Sequence, residues 1–262
     1  MGYESIHETM KELNLEGMEN VLDAEMQRWE KDEDVLGLIE RLLKAQKKAN
    51  DEKKYNSRLR YSGLPFSKKI EEFDFSFQPS IDKKQIKELE TLRFMYEKEN
   101  IIFLGPPGVG KTHLAIGIGM KAIEEGKKVY FINSIKLIEK MKQAFNNMTY
   151  ERLLRFYKSL DLLIIDELGY LPLDIQGAKL LFELVESKYE HSSIIVTSNR
   201  SFNEWNKIFT DEVIASAVLD RLVHHSTIIN IRGKSYRLRE KQKTGLIGVK
   251  ISEEKEGVVY DE

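Results

Sequence analysis

The sequence predicts an α/β fold, with a five-stranded parallel sheet between layers of helices and a small all-α domain ahead of it. Two observations carry the sheet. Five short, continuously apolar runs stand between residues 101 and 231: "IIFL" (101–104), "VYFI" (129–132), "LLIID" (162–166), "IIVTS" (194–198) and "TIINI" (227–231). Strands buried on both faces read this way, and the helix-length amphipathic segments between them are the crossovers that parallel neighbours require. A third observation sets the first sixty residues apart: no proline precedes Pro65, and apolar residues recur at spacings of three and four.

In chain order, Met18, Val21, Leu22, Met26 and Trp29 form one helical stripe, and Val35, Leu38, Ile39, Leu42 and Leu43 a second. Two or three such helices make a bundle assigned to residues 1–62. "SGLPFSKKIEEFDFSFQPS" (62–80), punctuated by Gly63, Pro65 and Pro79, reads as a linker over 63–80. The α/β domain is expected over 81–245, and 246–262 has no core-forming pattern, so it reads as a frayed tail.

Composition excludes several classes. The chain has 262 residues, 41% hydrophobic and 32% charged, which suits a core-forming globular protein. It contains no cysteine, so disulfides and thiolate metal sites are absent. No run of eighteen apolar residues and no apolar signal core occur, so the expectation is a cytoplasmic protein without a membrane partner. The net charge of −2 hides a gradient. Residues 1–40 hold three basic side chains (Lys11, Arg28, Lys31) against twelve acids; residues 41–60 hold eight against two. A partner feels that local field rather than the total.

The most informative segment is "GPPGVGKT" (105–112), which fits the phosphate-binding pattern G-x-x-x-x-G-K-[ST] and lies between an expected strand and an expected helix. Gly108 and Gly110 permit backbone conformations that a Cβ obstructs, so that successive N–H groups turn toward phosphate oxygens at a helix N-terminus. Gly105, Pro106, Gly108, Val109, Gly110, Lys111, Thr112 and His113 form the nucleotide-binding set. Lys111 supplies charge for the β- and γ-phosphates, and Thr112 a hydroxyl ligand for Mg²⁺.

Hydrolysis needs more than binding. Asp166 ends a buried strand, where an open parallel sheet presents ligand groups, and is the second Mg²⁺ candidate. Glu167 is the candidate to orient and deprotonate the attacking water; an acidic pair that merely caps a turn is the alternative. Asn199, after a further strand, either positions that water or is an ordinary turn residue. Arg221 is an arginine-finger candidate beside the plainer reading of an Asp220–Arg221 surface pair, and Arg237 follows the last strand as another candidate. His224 and His225 are expected on different sides of a helix, as packing or surface residues. Phe75 and Phe77 precede the phosphate loop and are candidates for an adenine pocket, beside the more usual reading of such aromatics as core residues.

Together, "FDFSFQPSIDKKQIKEL", "GPPGVGKTHLAIGIG", "LLIIDELGYLPLDIQGAKLLFELV", "VTSNRSFNEW", "DRLVHHS" and "KSYRLR" resemble the IstB-like and DnaC-like branch of the AAA+ ATPases, nearest to the IstB-like helpers of insertion-sequence transposition. The resemblance spans nearly the whole chain. It implies an ATPase with Asn199 as sensor-1, Arg221 as a finger acting in trans, Arg237 as the sensor-2 arginine, and a homo-oligomer with ATP between subunits. It also implies DNA and a transposase as partners; a helicase loader is the alternative, and a nucleotide-gated scaffold with little turnover a third. About thirty residues follow the last strand, room for only a minimal lid.

The basic stretch gains a reading from this. Lys44, Lys47, Lys48, Lys53, Lys54, Arg58 and Arg60 lie along one helical limb, and Lys136, Lys140, Lys142, Arg152, Arg155 and Lys158 form a second basic region. Evenly spaced cations without a base-reading set suit double-stranded DNA held through its phosphates, with strong salt dependence. A solvated helix face is the alternative.

Overall fold

The computed structural model describes residues 2–29, 34–209 and 211–243. Three helices open the chain: α1 (Tyr3–Glu12), α2 (Glu16–Arg28) and α3 (Val35–Tyr61). Asp34 caps α3 by accepting from the Leu36 N–H at 3.1 Å. Met10, Leu22, Leu38 and Leu42 form the bundle's core, and Leu15, Met18, Val21 and Trp29 pack around them. Gln46, buried on α3, ties the two longer helices together by accepting from the Met18 N–H at 3.1 Å.

Helices α4 (Lys83–Glu90) and α5 (Arg93–Tyr96) lead into alternating strands and helices. These are β1 (Asn100–Leu104), α6 (Lys111–Glu124), β2 (Val129–Asn133), α7 (Ser134–Asn146), α8 (Tyr150–Lys158) and β3 (Leu162–Asp166). They continue through α9 (Ile175–Lys188), β4 (Ser193–Ser198), α10 (Glu212–His224), β5 (Ser226–Asn230) and α11 (Tyr236–Lys243). All five expected strands form, in one wholly parallel sheet of order β2-β3-β4-β1-β5. Side chains alternate across it. Ile101 and Phe103 meet α4 and α6 on one face, while Ile102 and Leu104 meet the layer of α7, α9 and α10 on the other. With apolar partners on both faces, an alternating pattern is not needed. No helix of the described residues is long and apolar enough to cross a membrane.

The expected boundary at 62/63 does not divide the packing. Tyr55 and Leu59, on the last turns of α3, pack against the sheet's core, and so do Leu64, Ile70, Phe73 and Phe75 from the expected linker. Ser62 is fully buried, and its carbonyl accepts from the Phe131 N–H at 2.7 Å, tying the end of α3 to the edge strand β2. Proline and glycine here mark turns, while the apolar residues between them find a place under α6. The expected tail, 246–262, lies outside the described residues.

His224 and His225 are exposed, as expected of surface residues, but they do not lie on different sides of a helix. Their rings lie 4.1 Å apart, and Tyr189 Oη shares a hydrogen bond with His224 Nδ1 at 2.8 Å. Helix α10 ends at His224, and His225 leaves it with φ −120° and ψ 78°, so the angular step of a helix does not separate them.

One buried cation gives the fold a pH dependence. Lys188 is almost completely enclosed, and its ammonium donates to the carbonyls of Tyr157 at 3.1 Å and Leu160 at 3.0 Å. Burial pushes its pKa from 10.5 down to about 8, against the weaker opposing pull of Asp161. The unfolded chain therefore binds more protons than the folded one between those values, and stability rises with pH across that window. Lys188→Met should remove on the order of 2 kcal/mol of the stability gained between neutral pH and pH 10. Urea denaturation at both ends of the window checks this; an unchanged pH slope contradicts it.

Candidate nucleotide site

The phosphate loop leaves β1 at Leu104 and enters α6 at Lys111, with Val109 anchored in the core beneath it. Gly108 and Gly110 adopt left-handed backbone at φ +82° and +103°. A Cβ on Gly108 would stand 2.1 Å from Ser235 Oγ, and one on Gly110 would stand 2.4 Å from the Phe73 ring, so glycine is required at both on two counts. Lys111 folds back over the loop and donates to the carbonyls of Gly105 at 2.6 Å and Pro106 at 2.8 Å. Burial lowers its pKa, and the charges of Asp166 and Glu167 work the other way. An anion entering the loop would relieve that desolvation. His113 braces the loop from behind, with Nε2 2.9 Å from the Lys69 carbonyl oxygen and its ring edge-on to Phe73.

Strand order assembles the rest. β4 lies between β1, which carries the loop, and β3, which ends in Asp166. Thr197 and Asn199 consequently reach the space between phosphate loop and acids. Asp166 Oδ1 accepts from Thr112 Oγ1 at 2.8 Å and from Thr197 Oγ1 at 2.6 Å, and Thr197 Oγ1 in turn accepts from the Glu167 N–H at 2.9 Å. The hydroxyl of Thr112 and the carboxylate of Asp166 thus share one corner. That all-oxygen donor pair fits a hard divalent cation such as Mg²⁺.

Glu167 adopts left-handed backbone at φ +59°, an uncommon conformation for a residue with a side chain. Besides the bond from its N–H to Thr197, two side-chain contacts hold it there. Its carbonyl accepts from Ser134 Oγ at 2.9 Å, and its carboxylate accepts from Asn133 Nδ2 at 2.9 Å. Asn133 ends β2, on the far side of β3 from the phosphate loop, so this bond draws the carboxylate away from the loop. If the pocket hydrolyses a nucleotide with Glu167 as base, Asn133→Ala should free that carboxylate and raise basal turnover. A hydrogen bond of about 1 kcal/mol corresponds to roughly a fivefold change. Steady-state turnover checks this, and a lower rate would mean that Asn133 aligns the carboxylate instead of restraining it.

The resulting pocket has a volume of about 750 Å³ and is lined by the phosphate loop, Glu167, Thr197, Asn199, Phe73, Phe77, Tyr236 and Arg237. Helix α11 forms its roof: the Tyr236 N–H donates to the Gly108 carbonyl at 2.9 Å, and Arg239 reaches Asp74 at 3.2 Å. Arg237 is close enough to Lys111 for its charge to depress that lysine further. Of the two aromatic candidates, Phe77 lines the pocket, with its ring 5.6 Å from that of Tyr236, whereas Phe75 packs against the core. Asn133, Thr197, Phe73 and Tyr236 were not singled out from the sequence. Asn133 and Thr197 occupy strand ends, a position that marks them once the strand order is known.

Arg221 does not line this pocket. It pairs with Glu186 rather than with Asp220, and its guanidinium lies 4.9 Å from the centre of the Phe182 ring. Among the basic candidates, Lys44 pairs with Glu40 at 2.6 Å, Lys48 with Glu52 at 3.9 Å and Lys142 with Asp174 at 2.7 Å. Lys140 donates to Tyr130 Oη at 3.2 Å. Lys47, Lys53, Lys54, Arg60, Arg152 and Arg155 are exposed and make no ion pair with another described residue.

A phosphate loop after the inner strand β1, an acidic pair at the end of β3 one strand beyond β1's neighbour β4, and a short helical roof define a P-loop nucleotide-binding fold of the AAA+ type. Residues 8–244 match the family model described as IstB-like ATP binding protein, and the chain belongs to that family. It is 50% identical over 202 residues to the insertion sequence IS5376 ATP-binding protein of Geobacillus stearothermophilus, covering 77% of this chain and 80% of the relative. It is 49% identical over 191 residues to the IS21 counterpart of Pseudomonas aeruginosa, covering 73% and 72% respectively. Among solved structures, AMPPCP-bound DnaA from Aquifex aeolicus shares the fold with a TM-score of 0.55 at 22% identity over 73% of this chain. The matched region spans 58% of that DnaA chain.

Proposed function

We propose that the protein is a Mg²⁺- and ATP-dependent oligomeric ATPase that binds double-stranded DNA, deforms and selects it as a target, and presents it to the transposase of the same insertion sequence. The observation that carries this reading is the linked set Thr112–Asp166–Thr197–Glu167 beside a phosphate loop. In it, Thr112 and Asp166 would hold Mg²⁺, which when bound neutralises charge on the β- and γ-phosphates. Lys111 and the loop N–H groups orient the triphosphate. Glu167, released from Asn133, takes the proton of the attacking water as ATP and water become ADP and phosphate. Asn199 steadies that water, and Arg237 meets the γ-phosphate from the roof.

Arg221 lies outside its own chain's pocket, which supports a role in a neighbour's site and hence a homo-oligomer with ATP between subunits. The exposed cations of α3 and α8 would then repeat along a duplex, and many weak phosphate contacts per subunit sum to firm binding. ATP binding organises this assembly, and hydrolysis resets it.

Strand transfer by the cognate transposase into a plasmid target tests the reading. With ATP, the protein should stimulate insertion, and reversal of Lys47 and Lys53 to Glu should abolish the stimulation while ATP binding persists. No stimulation, together with capture of a replicative helicase, would replace it with a helicase-loader function.

A further inference from the structure

A second pocket, of about 370 Å³, opens at the sheet edge far from the phosphate loop. It is lined by Lys54, Arg58 and Tyr61 on α3, Lys128 just before β2 and Tyr130 within it, and Phe156 near the end of α8. The α3 residues are spaced by four and three and so share one face of the helix. Three cations and three aromatic rings meet here, and no carboxylate lines the pocket. The nearby Asp161 is engaged by the Lys128 backbone N–H at 2.7 Å. Lys54, Arg58 and Lys128 make no ion pair with another described residue. Tyr61 is 74% exposed and Phe156 43% exposed, unusual for rings beside an apolar core. Phe156 packs edge-on against Tyr130, with centroids 5.2 Å apart, so that an aromatic wall stands ready-made. The walls are also fixed: the Ser62–Phe131 hydrogen bond and the packed Tyr55 and Leu59 hold α3 against β2.

We propose that this pocket holds an unstacked nucleotide of single-stranded DNA, its base against Tyr61 and Phe156 and its flanking phosphates on Lys54, Arg58 and Lys128. Cationic walls alone would suit any polyanion; open ring faces among them suit a base, since every base has a π-face to stack and stacking is tolerant of sequence. A protein that deforms duplex DNA exposes such nucleotides where steps unstack, so the proposal rests on the DNA-binding reading above and adds a site for the displaced base.

The test uses the full chain and a short mixed-sequence oligonucleotide carrying 2-aminopurine, whose fluorescence falls when the base stacks on an aromatic ring. Wild type should bind it with quenching. Tyr61→Ala should weaken binding roughly tenfold and restore fluorescence, and Phe156→Ala should act in the same direction. Tyr61→Phe should behave as wild type. Both alanine variants should keep their affinity for duplex DNA, measured by anisotropy, and both replace exposed rings, so nucleotide binding reports an intact fold. Unchanged single-strand binding by both alanine variants, with duplex binding retained by wild type, overturns the pocket assignment alone. Absence of duplex binding by wild type overturns the DNA reading and this proposal with it. Displacement of the oligonucleotide by polyglutamate, without any quenching in the bound state, overturns it in favour of an acidic protein segment.

Discussion

Glu167→Gln is expected to bind ATP as wild type does and to lose at least about 100-fold in turnover, the usual scale for removing a positioned general base. The variant keeps the shape of the side chain and one acceptor oxygen, so the Asn133 amide retains a partner and the left-handed backbone at residue 167 is undisturbed. What it loses is the ability to take a proton. If hydrolysis resets the DNA-bound assembly, this variant should also stay on duplex DNA after excess competitor is added, whereas wild type leaves as ATP is consumed. Turnover and competitor-chase lifetime are the two measurements. Rapid release by the variant would separate hydrolysis from disassembly.

Lys111→Ala should act one step earlier and weaken nucleotide binding. A charge-assisted hydrogen bond lost at the phosphates amounts to about 1.5–3 kcal/mol, or roughly 10- to 150-fold in affinity. The fold should survive. Burial lowers the pKa of Lys111 because the protein without nucleotide carries a partly desolvated ammonium that only carbonyl oxygens satisfy. Removing it relieves that cost, so thermal stability without nucleotide should be unchanged or slightly higher. Titration with a fluorescent ATP analogue, paired with a melting curve, checks both statements. Weak binding together with a large fall in melting temperature would instead give Lys111 a structural role.

The two variants also mark how far local sequence pattern reaches. The phosphate loop was legible because glycines, lysine and threonine at fixed offsets between an apolar run and a helical stripe satisfy one physical demand, a backbone that can surround an anion. Asp166 and Glu167 were legible because four apolar residues deliver them to the end of a buried strand. The sheet's order was not, since nothing local to β2 or β4 states which strand lies beside β3. Asn133 and Thr197 look like ordinary strand-end residues until that order places them on either side of Glu167. Phe73 and Tyr236 stayed hidden for a related reason. They are far apart in the chain and come together only because α11 folds back over the loop. The apparent linker at 63–80 misled because glycine and proline signal turns without saying whether the residues between them pack.

The proposed mechanism stands on active sites shared between subunits assembled on duplex DNA. The most direct measurement is ATP turnover per subunit as a function of protein concentration, with and without long double-stranded DNA, at low and at high salt. Shared sites predict a rate that climbs with concentration, climbs further with duplex, and loses the duplex effect at high salt as phosphate contacts are screened. A rate per subunit that is constant with concentration and indifferent to duplex DNA would contradict it, leaving Arg221 a structural partner of Glu186 and the cations of α3 a solvated helix face.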